Sequence, residues 1–136
     1  MLGTMLDAAD LVAFVATTDL ERSDRFYGGM LGLRRTETTP FANVYDVGGT
    51  TLRVTLVEQR VAAPYTVLGW DVADIAAAVA ALGAAGIAVQ RYDGMGQDEA
   101  GIWTAPGGAR IAWFGDPDGN VLSVAQMAPQ PVGNEG

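Results

Sequence analysis

The stretch Asp46-Val-Gly-Gly-Thr-Thr-Leu-Arg-Val54 returns 70 residues later as Asp116-Pro-Asp-Gly-Asn-Val-Leu-Ser-Val124. Asp46 falls on Asp116, Gly49 on Gly119, Leu52 on Leu122 and Val54 on Val124, all in one ungapped register. Aspartate and glycine build tight turns, and alternating apolar residues build a half-buried strand, so each copy reads as a turn with the strand leaving it. An Asp-x-x-Gly turn is common enough to recur by chance. The order of elements around each copy is not, and it makes duplication the better reading.

Ahead of the first copy, Leu11-Val-Ala-Phe-Val-Ala-Thr17 predicts a buried strand. Thr18-Asp-Leu-Glu21 has capping-box spacing, and Leu20, Phe26, Tyr27, Met30 and Leu31 then form the apolar stripe of a helix that Gly32 ends. Strands follow over 33–38, 41–47 and 50–58. The second half repeats the plan: a strand over 65–72, a helix capped by Asp71 or Asp74 and running to about Gly83, a short strand at 87–90, and strands over 109–115 and 120–126. An additional segment, 93–108, interrupts it. The fold class is therefore α+β, with two tandem βαβββ modules making a curved mixed sheet, helices outside and a central cup. The predicted division is an N-terminal segment (1–9), modules over 10–60 and 61–127, and a flexible tail (128–136).

Composition removes whole classes of chemistry. The 136 residues include no Cys and no His, which excludes disulfides, thiolate catalysis and imidazole as base or metal ligand. Any metal would have to be held by oxygen ligands alone. A net charge of −8, with no cluster among the 8 Lys and Arg residues, argues against nucleic acid. No apolar run approaches the roughly 20 residues of a membrane span, and the N-terminus has no signal-peptide pattern, so the expectation is a cytoplasmic protein without membrane partners.

The motifs Thr18-Asp-Leu-Glu-Arg-Ser23, Phe26-Tyr27, Met30-Leu-Gly-Leu33 and Asp116-Pro-Asp-Gly-Asn120, in that order, resemble those of the vicinal oxygen chelate superfamily. This is the glyoxalase, bleomycin-resistance and extradiol-dioxygenase group. The resemblance spans roughly residues 10–127. It implies paired βαβββ modules, frequent homodimerisation, and, in the enzymes, four metal ligands on the first and last strands of the modules. Carried over by spacing, those positions are Val12, Arg53, Val67 and Ser123. Two valines, a cation and a hydroxyl do not make a divalent-metal site, and neighbouring residues supply no stronger ligand. No metal or other cofactor is expected.

Strand alternation sorts what remains. Leu52, Val54 and Leu56 belong on one face, and Thr51, Arg53 and Thr55 on the other, toward the cup. There Arg53 binds an anionic ligand group or pairs with Glu58, Asp71 or another carboxylate. Asp71 is a general base, a partner of Arg53, or the cap of the second helix. Tyr65 reaches a ligand at the rim or simply packs. Trp70 and Trp113 read as core; Trp103, in the extra segment, reads as part of a lid or of a dimer contact. Asp98-Glu99 reads as solvated charge or a cation contact, and Asp118 as a turn residue. The ligand-contact set is Val12, Arg53, Tyr65, Val67, Trp103 and Ser123, with Arg53 and Asp71 as candidate catalytic groups. The functional expectation is a metal-free protein sequestering an apolar or aromatic small molecule. The alternative is a metal-independent lyase or isomerase in which Arg53 stabilises an anion; a metalloenzyme ranks last.

Overall fold

The computed structural model describes residues 2–59 and 61–129. Of the predicted tail, residues 130–136 lie outside the described residues. The chain divides into two compact units, one built from 1–63 with 116–120 and the other from 64–115 with 121–136.

In the first unit, helix α1 (Leu2–Asp7) precedes β1 (Val12–Thr17). Helix α2 (Leu20–Asp24) runs on as a π-helical turn over Arg25–Met30, and β2 (Arg34–Thr38), β3 (Ala42–Val47) and β4 (Thr50–Leu56) follow. The sheet order is β1-β4-β3-β2, with β1 parallel to β4 and the other pairs antiparallel. Period-2 alternation drives its packing: Val15, Leu52, Val54 and Tyr45 are buried on the face shared with Phe26 and Tyr27 of the helix. Asp19, not Thr18, caps α2, accepting from the Arg22 amide at 3.1 Å. Thr18 is engaged elsewhere, as described below.

The second unit holds β5 (Thr66–Asp71), α3 (Ile75–Ala84), the two-residue β6 (Trp103–Thr104), β7 (Arg110–Gly115) and β8 (Val121–Gln126). Its sheet order, β5-β8-β7-β6, repeats that of the first unit, with β5 parallel to β8. The chain is thus two βαβββ modules. The predicted strand at 87–90 is reduced to one bridge, Val89 to Phe114. Asp74 caps α3 through the Ala77 amide at 3.1 Å, so Asp71 is not the cap. Ile75, Leu82, Leu122, Val124, Ala112 and Phe114 are buried on the helix side, where Trp70 stacks on Phe114 at 6.3 Å.

The repeat is less regular than its letters. Leu52 pairs with Tyr45, but Leu122 pairs with Phe114 rather than Gly115, so β7 is displaced by one residue against the 70-residue register. The cause is the connection. Gly48 and Gly49, at φ 57° and 88°, close a two-residue turn between β3 and β4, whereas five residues separate β7 from β8. Asp46 still belongs to its ladder, opposite Thr51; Asp116 has left its own.

Candidate functional site

The Asp116–Asn120 loop that carries the family resemblance is built as a structural knot. Asp116 accepts from the amides of Asp118 and Asn120 (both 2.9 Å), from Asn120 Nδ2 (2.7 Å) and from the Tyr27 hydroxyl (2.6 Å). Asp118 is 1% exposed. It accepts from Thr17 Oγ1 (2.6 Å), from the Thr18 amide and hydroxyl (3.0 and 3.1 Å) and from Arg22 (2.8 Å). It is far more than the turn residue its spacing suggests. Burial alone would raise its pKa, but the bonds from Thr17 and Thr18 and the Arg22 charge outweigh that, and the carboxyl titrates below its ordinary value. Burial, with the Asp116 charge and hydrogen bond added, pushes the Tyr27 phenol far above its ordinary pKa. Tyr45, buried and bonded to Asp24 at 2.6 Å, is raised in the same way.

The open face of the first sheet carries Arg53. The ladder places Phe14 directly opposite it on β1 and Val44 on β3, with Val12 and Thr51 one pair along the same face. Phe14 is 62% exposed, unusual for an aromatic side chain on a strand. Arg53 makes no hydrogen bond or ion pair with any described residue. The pairing with Glu58 considered from sequence is not formed among the described residues.

The open face of the second sheet is aromatic. Ser123 pairs with Gly69 on one side and Trp113 on the other, so Trp113 points away from the core side occupied by Ala112 and Phe114. This corrects the expectation that Trp113 is core. Trp103, opposite Ile111 on the edge strand, brings its ring to 6.0 Å from that of Trp113, and Tyr92 meets Trp113 edge-on at 5.7 Å. The segment leading to Trp103 is tied down by side-chain hydrogen bonds. Gln97 accepts from the Tyr92 amide (2.7 Å) and donates to the carbonyls of Gln90 (2.9 Å) and Gly101 (2.8 Å). Arg91 donates to the carbonyls of Asp98 and Glu99. The Asp98 carboxylate is not simply solvated, because it accepts from the amides of Ala100 and Ile102 at 2.9 Å.

Asp71 ends β5 opposite Ala125, on the Ser123 face, and makes no hydrogen bond or ion pair with a described residue. Val67 stands in a bulge, since Thr66 pairs with Val121 and Leu68 with Leu122, and Tyr65 precedes the strand, 66% exposed. Gly69 and Ser123 are closely fitted: a Cβ on Gly69 would lie 2.7 Å from Ser123 Oγ. Sequence reasoning missed Phe14, Trp113 and Tyr92. Alternation from Val12 would have found the first; Trp113 required the pairing of β7 with β8, and Tyr92 lies outside any strand and gave no signal.

A metal does not fit the positions where the resemblance would put one. The Arg53 guanidinium brings positive charge, Val12 and Val67 bring no donor, and Ser123 is a weak ligand. Among the described residues no group of three or more acids is placed to hold an ion.

The profile of the Glyoxalase/Bleomycin resistance protein/Dioxygenase superfamily matches residues 9–124, and the chain belongs to that family. The fold is similar to that of a glyoxalase/bleomycin resistance protein/dioxygenase from Alicyclobacillus acidocaldarius, at 16% identity over 90% of this chain and 93% of that one, TM-score 0.69. It is also similar to a lactoylglutathione lyase from Agrobacterium tumefaciens (17% identity, 88% and 93% covered, TM-score 0.67). TioX from Micromonospora sp. ML1 is a further likeness (17%, 89% and 100%, TM-score 0.67). No functionally curated protein matches the chain. Among the described residues no helix is long and apolar enough to cross a membrane.

Proposed function

We propose that this protein is a metal-free, small-molecule-binding member of the superfamily that holds a planar aromatic ligand against the open face of its second sheet. The observation that supports this most is the Trp113–Trp103–Tyr92 shelf, with ring centroids 5.7 to 6.0 Å apart on a face away from the core. Aromatic walls with few polar groups are what planar ligands use, through offset stacking and exclusion of water. The Gln97 and Arg91 bonds hold the shelf's supporting segment before any ligand arrives, which lowers the ordering cost of binding. The reading also takes the protein to be a cytoplasmic homodimer, as the family resemblance implies.

The test is native mass spectrometry of protein purified without chelator, together with tryptophan-fluorescence titration using 2-naphthol and acridine. A bound organic mass, or saturable quenching that Trp103→Ala weakens at least about tenfold, supports the reading. Failure of both probes to quench, together with a stoichiometric divalent ion in the mass spectrum, sinks it.

One observation favours a second reading, a metal-independent lyase or isomerase. Among the described residues Arg53 has no carboxylate partner, so its guanidinium is available to stabilise an anionic intermediate.

A further inference from the structure

The superfamily's metal position on β4 is occupied by a cation of the chain's own, and the rest of that sheet face does nothing to neutralise it. Asp46 is held by Arg34 at 2.9 Å, and Glu37, opposite Val44 in the same cross-strand row, makes no ion pair with Arg53. A half-buried arginine normally finds a carboxylate in its own protein, since its five donors are costly to leave without acceptors. Here the side chain is half-buried and unpaired among the described residues.

Two neighbours define what would satisfy it. Phe14 lies opposite Arg53 in the parallel ladder, one strand spacing (about 4.8 Å) away, and exposes 62% of its surface. Thr55 lies two residues further on the same face, between Ala16 and Ala42, and its hydroxyl is buried without a hydrogen-bond partner. An unfilled cation, an unfilled hydroxyl and an exposed aromatic ring thus share one small patch. Guanidinium forks match planar carboxylates in bidentate fashion, and an aromatic ring joined to that carboxylate would lie toward Phe14.

We infer that the open face of the first sheet is a binding site for an aromatic carboxylate, in which Arg53 takes the carboxylate and Phe14 the ring. The site stands on residues other than the tryptophan shelf, so either reading fails or survives without the other.

Benzoate is the probe, with benzamide as its neutral isostere and acetate as the carboxylate without a ring. Binding is followed by ligand-observed NMR and calorimetry, which do not depend on tryptophan. The wild-type protein should bind benzoate saturably and at least about tenfold tighter than benzamide or acetate. Arg53→Met should weaken benzoate about tenfold or more, Arg53→Lys should retain part of the affinity, and Phe14→Ala should bring benzoate down to the level of acetate. Thermal melting verifies that each variant is folded, and the lysine variant keeps the charge test informative if the methionine variant is not. Benzamide binding as tightly as benzoate overturns the proposal, as does benzoate affinity unchanged in Arg53→Met. Equal displacement of benzoate by inorganic sulfate overturns its aromatic part. Absence of saturable benzoate binding overturns it altogether.

Discussion

Thr17 Oγ1 donates to Asp118 Oδ2 at 2.6 Å across 101 residues of chain, and the oxygen that accepts is almost wholly shielded from water. The same carboxylate takes the Thr18 amide and hydroxyl and Arg22, so one side chain completes the junction between β1 and α2. Asp118→Asn keeps the shape but replaces one acceptor by a donor and removes the charge. We expect a loss of about 2–4 kcal/mol in stability, read from the urea midpoint at neutral pH.

The pH dependence follows from the same group. The folded-state pKa of Asp118 lies below its ordinary value of 3.8, so in the acid range the unfolded chain binds more protons than the folded one. The stabilisation is therefore complete above the unfolded value and is lost as pH falls through the folded one. Urea midpoints taken from pH 6 down to pH 2.5 should decline in the wild type and decline less steeply in Asp118→Asn. Parallel curves would remove Asp118 from the explanation.

Tyr27 sets the corresponding limit at the alkaline end. Its raised folded-state pKa means the stabilisation is present below the unfolded phenol value and disappears as pH climbs through the folded one. Tyr27→Phe leaves Asp116 without its 2.6 Å donor. The variant should lose about 1–3 kcal/mol at neutral pH, and its stability should fall less than that of the wild type between pH 9 and pH 11.

Two glycines should behave differently. Gly101 has φ +88° and a Cβ there would meet Val89 Cγ1 at 2.5 Å, so Gly101→Ala should cost about 2–3 kcal/mol and alter the near-ultraviolet circular dichroism of the neighbouring tryptophans. At Gly69 the obstacle is only Ser123 Oγ, which can rotate away, so Gly69→Ala should cost under about 1 kcal/mol. Adding Ser123→Ala should recover most of that loss; strict additivity would count against the close fit.

Gln97→Ala removes three hydrogen bonds from the segment behind Trp103. Stability should drop by about 1–3 kcal/mol, and tryptophan emission should change even without ligand. An unchanged spectrum would show that the shelf does not depend on Gln97.

Much of the fold was legible because its signals are local. Alternation in Thr51–Leu56 gave the faces of β4, including the side on which Arg53 stands, and the Asp-Gly turns gave the hairpins. What was not legible depends on distant partners. Thr18 looks like a cap until Asp118 arrives from 100 residues away, and the cap then falls to Asp19. Asp71 and Asp74 are equivalent as letters; only the point where β5 ends decides between them. Trp113 was misplaced because a tryptophan on a central strand suggests core, although its pairing with Ser123 puts it on the open face. The bulge at Val67 shifts the register before Leu68 and has no glycine or proline to announce it.

The loop from Asp116 to Asn120 is encoded between two strands of the second module yet belongs to the first unit. The two modules share one strand order, yet the first is incomplete without a loop encoded in the second. A fragment ending at the linker near residue 63 would lack the acids that receive Thr17, Tyr27 and Arg22, and the remaining fragment would carry those acids with nothing to receive. Split-protein complementation would therefore have an unusual dependence on where the loop is placed. A cut between the modules strands it on the wrong side, whereas a circular permutant opened near residue 63 keeps every one of these partners on a single polypeptide.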